Sequence, residues 1–161
     1  MSSQEKMDFF ELGDKTSIIC ADPNTTELVK TTLRELGFKY HTAETPELAI
    51  ERMRYTNYDV IVVHENFAGS SLRSNAVLNY LSPLPMAQRR YSFVCLVGPT
   101  FKTLDAMQAF GQSVHLVLSP SDLPNLGPIL KKGLAEFELL YRAPAGLRNA
   151  LPPVVRTRLA R

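Results

Sequence analysis

The sequence predicts an α/β fold in which a five-stranded parallel sheet is covered by helices on both faces. Three observations carry this. Apolar, β-rich runs and helix-period segments alternate five times along the 161 residues, the order expected of repeated βα units. The central run, Val60-Ile61-Val62-Val63, is apolar at consecutive positions, as when both faces of a parallel strand are buried. Glycine and proline fall between the segments, at Gly37, Pro46, Pro83 and Pro85, where chains turn or begin helices.

The first strand is expected over Ser17-Ile18-Ile19-Cys20-Ala21, followed by helix-start chemistry at Asp22-Pro23-Asn24. Leu28, Val29, Leu33 and Leu36 then recur at helical spacing up to Gly37. Phe38 to Thr42 reads as a second strand. Thr45 can cap the next helix with Pro46 in its first turn, and Leu48, Ala49, Ile50 and Met53 supply its apolar stripe. The third strand, Val60 to Val63, is followed by His64 and a small, polar segment from Glu65 to Ser71. A helix covering Asn75, Val77, Leu78 and Leu81 leads to a proline-bounded stretch, Leu84 to Arg90, which reads as a solvated loop. Phe93 to Val97 is the fourth strand, Leu104, Met107 and Phe110 mark a fourth helix, and Val114 to Leu118 is the fifth strand. The last helix, Leu126 to Tyr141, carries Leu126, Ile129, Leu130, Leu134, Phe137 and Leu140 on one face, with Gly133 in its middle.

Composition narrows the function classes. A hydrophobic content of 45% over 161 residues suits one globular domain. No apolar stretch approaches the roughly 18 to 20 residues of a bilayer span, and the start of the chain lacks the pattern of a secretory signal. Cys20 and Cys95 sit inside apolar runs, as unpaired thiols do in a reducing compartment. A cytoplasmic location is expected. The net charge of +2 divides unevenly, because Arg142, Arg148, Arg156, Arg158 and Arg161 lie in a final segment without acids. Setting those five aside leaves 13 basic against 16 acidic residues, a net of about −3. An acidic body argues against a nucleic-acid surface. The division expected is a polar extension over 1–15, one domain over 16–141 and a basic, proline-containing tail over 142–161.

The spacing of these units, with Leu36-Gly37-Phe38 after the first helix and Ser119-Pro120 after the fifth strand, resembles the CheY-like receiver domain of bacterial response regulators. The resemblance implies a flavodoxin-like sheet of order 2-1-3-4-5 and a phosphorylation site at the C-terminal edge of the strands. It also implies which residues should stand there. Two acids that hold magnesium end strand one in receivers, and Cys20 and Ala21 occupy those places, with Asp22 one residue later. The phosphorylated aspartate ending strand three is replaced by His64, the hydroxyl residue ending strand four by Gly98, and the lysine ending strand five by Ser119. The aromatic of strand five is Leu116. Each replacement removes charge or oxygen that phosphoryl transfer uses. The expectation is a pseudo-receiver that is not an enzyme and needs no metal or cofactor.

Other chemistry is weaker. Cys20 and His64 would share the rim, so a thiol–imidazole dyad in a small-molecule or redox sensor is one alternative, and an atypical response regulator is the other. His64, Asp22, Cys20 and Glu65 lack the repeated spacing of a zinc site. Gly98-Pro99 and Gly69-Ser70-Ser71 match no phosphate-loop pattern. His41 and His115 receive no role. The resemblance points to a protein partner, or a homodimer, on the face of the fourth helix, fifth strand and fifth helix, where Phe101, Lys102, Asp105, Gln108 and Leu116 are candidates. A second candidate surface is the rim itself, with Asp22, His64, Glu65, Asn66 and Phe67. Arg148, Arg156, Arg158 and Arg161 form a basic tail that is either solvated or steers an acidic partner.

Overall fold

In the computed structural model, which describes residues 10–141, five strands form one parallel sheet. They are β1 (Thr16–Cys20), β2 (Lys39–Thr42), β3 (Val60–His64), β4 (Phe93–Val97) and β5 (Leu116–Leu118). Their spatial order is β2-β1-β3-β4-β5. The helices are α1 (Pro23–Glu35), α2 (Pro46–Tyr55), α3 (Ala76–Leu81), α4 (Met86–Arg89), α5 (Ala106–Gly111) and α6 (Leu126–Tyr141). Short 3₁₀ turns occupy Phe67–Gly69 and Pro120–Asn125. The helix α4 falls within the stretch expected to be a loop, so the fourth and fifth helices of the sequence pattern are α5 and α6.

The period of two explains the unbroken apolar runs. Ile18, Cys20, Ile61, Val63, Val94, Leu96 and Val117 point to one face, where Ala49 of α2, Val77 and Leu78 of α3 and Ala109 of α5 cover them. Ile19, Val60, Val62, Phe93, Cys95, Leu116 and Leu118 point to the other, against Val29 and Leu33 of α1 and Leu126 and Leu130 of α6. Helix starts follow their chemistry. Asp22, Thr45, Asn75 and Asp105 each accept backbone N–H bonds as N-caps.

Several apolar positions face outward instead. Leu28 is exposed, and Thr25 joins Val29 and Leu33 on the buried side of α1. Leu104, Met107 and Phe110 are 59%, 77% and 80% exposed, and Ala109 is the buried side chain of α5. Spacing identifies an apolar face but not which way it points. Leu104 precedes the helix with φ 66°, and its N–H bonds Val117 O at 3.0 Å, covering part of the outer edge of β5. Leu140, at the end of α6, is also exposed.

The segment expected to be an extension is partly built into the domain. Phe10 stacks on His41 with ring centroids 4.0 Å apart, and Asp14 pairs with Lys39 at 2.9 Å. His41 Nδ1 also lies 2.7 Å from the Tyr58 hydroxyl. Residues 142–161, with Arg148, Arg156, Arg158 and Arg161, lie outside the described residues. No helix among the described residues is long and apolar enough to cross a membrane.

Candidate functional site

The C-terminal ends of β1, β3, β4 and β5 bring Cys20, Asp22, His64, Gly98 and Ser119 to one edge of the sheet, as the parallel order requires. The groups there are already engaged. Asp22 is spent on α1: its carboxylate accepts from the Thr25 N–H at 3.1 Å and the Thr25 hydroxyl at 2.6 Å. Partial burial pushes its pKa up, but those two bonds and the nearby His64 outweigh burial and hold the carboxyl below its ordinary value. His64 is half-buried, and its Nδ1 accepts from the Asn66 N–H at 3.1 Å, folding the chain back at the end of β3.

Cys20 is fully buried, and burial pushes its thiol up to about 12. A protonated, enclosed thiol is not a nucleophile at neutral pH. This removes the Cys20–His64 dyad, since β1 turns the Cys20 side chain into the core beneath α2 and α3. Cys95 is raised to about 12 for the same reason.

The residue that defines the rim is Glu65. It is 3% exposed, and its carboxylate is bound by the Thr100 N–H at 3.1 Å and the Thr100 hydroxyl at 2.6 Å. Its N–H bonds Val97 O at 2.8 Å, which carries the β3–β4 pairing one residue further. The side chain lies directly over Gly98. A Cβ added there would come within 2.4 Å of the Glu65 carboxyl carbon and Oε1, so the acid would have to move aside and leave Thr100. Gly98 and Glu65 are therefore linked: the acid fills the space a side chain at 98 would take.

Neighbouring loops fix this arrangement. Asn75, 1% exposed, donates from Nδ2 to His64 O at 3.0 Å and Glu65 O at 3.3 Å, while its Oδ1 caps α3. The N–H of Ser119, just past β5, bonds Thr103 Oγ1 at 2.9 Å, and that threonine donates to Asp122. Ala21 packs against the core face of α1 and α6. Among the described residues no group of three His, Cys, Asp or Glu side chains is placed to hold a metal ion.

Two candidate surfaces need correction. Glu65 and Phe67 are buried, so the rim presents only Asp22, His64 and Asn66 to its surroundings. On the other surface Phe101 and Leu116 are buried, Asp105 caps α5, and Gln108 accepts from the Lys102 N–H at 2.8 Å. Of those five residues only Lys102 is fully exposed. Leu104, Met107 and Phe110 provide the apolar surface there instead. Their signal was present in the sequence as helical spacing.

No protein-family model and no curated protein matches the chain by sequence. Solved structures do match its fold. The chemotaxis response regulator CheY4 of Vibrio cholerae superposes with a TM-score of 0.58 at 15% identity, covering 74% of this chain and 98% of that one. RcpA, a cyanobacterial phytochrome response regulator in phosphorylated form, gives 0.57 at 19%, covering 82% and 98%. HP1043, an orphan response regulator of H. pylori, gives 0.57 at 16%, covering 77% and 99%. The chain therefore has the flavodoxin-like receiver fold, with the sheet order expected of it.

Proposed function

We propose that the chain is a phosphorylation-independent signalling or adaptor module, a pseudo-receiver that acts by binding a protein partner and catalyses no phosphoryl transfer. The observation that carries this is Glu65, whose buried carboxylate is held by Thr100 and fills the rim over Gly98. A magnesium-dependent acyl phosphate needs clustered carboxylates and open space. Here the single acid ending β1 is tied to Thr25, and the chain offers His64 where an aspartate would accept phosphate. Exposed Leu104, Met107 and Phe110 support binding as the output, because a clustered apolar surface marks an interaction site. Two free, buried thiols suit a reducing cytoplasm.

Incubation with acetyl phosphate and Mg²⁺, followed by intact-mass measurement, tests the reading. Unchanged mass is the expected result. Stoichiometric addition of one phosphoryl group would overturn it. Of the Cys20 and His64 pair behind the sensor alternative only His64 reaches the rim, since Cys20 is enclosed.

A further inference from the structure

Two stripes of side chains run along α5 at the same spacing. Ala106 and Ala109 face the side of α6, and Ala109 is the buried side chain of the helix. Met107 and Phe110, each one residue further on, stand 77% and 80% exposed. In front of the alanine stripe lies a groove of about 590 Å³, floored by Phe93, Leu116 and Val117 and closed on its far side by α6 from Ile129 to Leu140. The space is open where the alanines face it, while the large apolar side chains of the same helix lie in solvent. One residue turns an α-helix by about 100°. A turn of that size would bring Met107 to the place of Ala106 and Phe110 to that of Ala109.

The ends of the helix suit such a turn. Each carries a left-handed residue that is not glycine: Leu104, with φ 66°, just before the cap at Asp105, and Ser113, with φ 58°, just after α5. Glycine ordinarily holds the second of these places, because left-handed backbone is costly for a residue with a Cβ. Positions of this kind absorb the backbone change where an element has two arrangements. The present arrangement is tied down by the Leu104 N–H on Val117 O at 3.0 Å, the Val114 N–H on Ala109 O at 3.0 Å and the Lys102 N–H on Gln108 Oε1 at 2.8 Å.

We propose that α5 is a two-position switch. Besides the outward position it has a turned-in one, less populated, in which Leu104 and Ser113 return to right-handed backbone and Met107 and Phe110 fill the groove. This rests on the reading of Leu104, Met107 and Phe110 as the binding face, and it adds the regulation of that face. The outward position presents the apolar side chains to a partner, and the turned-in position withdraws them. A partner that grips Met107 and Phe110 binds the outward position alone and so draws the population toward it.

Phosphate incorporation would remove the phosphate-independent role and leave the two positions of α5 standing; failure of the following experiment would do the reverse. In the full-length chain, Phe110→Cys is combined with Glu136→Cys across the groove, and oxidised glutathione is added. Two thiols lose two hydrogens to form the intramolecular disulfide as the glutathione is reduced, and Cys20 and Cys95 stay silent because both are enclosed. The rate is compared with that of the same pair carrying Leu104→Gly and Ser113→Gly, which relieve the outward position and so disfavour the turned-in one. The expected result is an intramolecular disulfide that forms about fivefold more slowly, or slower still, with the glycines. Equal or faster rates with the glycines would overturn the proposal. So would crosslinked dimers whose yield rises with protein concentration, which would assign Phe110 to a second copy. A Phe110→Trp chain reads the same equilibrium without a crosslink: its emission should move to the red on adding the two glycines, and an unchanged spectrum would count against the switch.

Discussion

His115 replaces part of a β-ladder with a side chain. Its backbone N–H bonds Val94 O at 3.0 Å, and its Nδ1 accepts the Val94 N–H at 3.0 Å. The ring stacks on Phe93 and meets the edge of Phe137. Burial, with Arg89 nearby, pushes its pKa from 6.5 down to about 4. The neutral ring is thus the folded form, so its stabilisation is present above pH 6.5 and is lost as pH falls toward 4. At about 1.4 kcal/mol per unit, the full loss amounts to roughly 3 to 4 kcal/mol. Urea midpoints at pH 7.5 and pH 4.5 should differ by more in the native chain than in His115→Gln, which has no proton to gain. This role was not legible in the sequence, because a histidine beside a strand carries no mark of its acceptor. Glu65 was placed on the rim from sequence, but not its burial or its bond to Thr100. A lone acid in a polar stretch reads as solvated, and nothing in the sequence pairs it with Gly98 thirty-three positions on.

At the scale of elements the pattern was readable wherever one kind of burial governs a whole run. The strands β3 and β4 and the helix α6 lie where β-branched runs and helical spacing put them. The helix α5 is different, since six residues give too little length for periodicity to separate inward from outward, and Ala109 rather than Phe110 is its contact with the core. In α6, Gly133 looked like a propensity defect. The structure gives it a purpose, because Phe93 is locked between His115 and Phe137 and cannot easily yield to a Cβ at 2.9 Å. Alanine should gain about 1 kcal/mol of helix propensity and lose more than that to overpacking, typically 1 to 3 kcal/mol. Gly133→Ala should therefore lower the thermal midpoint; a raised midpoint would mean that the ring moves freely.

For the molecule as a whole, the sheet order was legible through resemblance, while the distribution of exposed apolar surface was not. Parallel connections constrain where strands lie, but they leave the helix exteriors free to carry function. Met107 and Phe110 contribute almost nothing to the core. Replacing both with lysine should change stability by less than about 0.5 kcal/mol each while abolishing binding to a partner of this face. Circular dichroism melts together with a partner titration would check both halves. A large drop in stability would mean that these side chains are structural after all.

The contact between Glu65 and Gly98 also bears on how such a chain can change over generations. A larger residue at 98 would push the Glu65 carboxylate off Thr100, and shortening the acid alone strands Thr100 without its carboxylate. Either substitution on its own therefore disturbs the same carboxylate–threonine contact. Two positions just past the ends of β3 and β4 are thereby coupled, so that they should vary together or not at all.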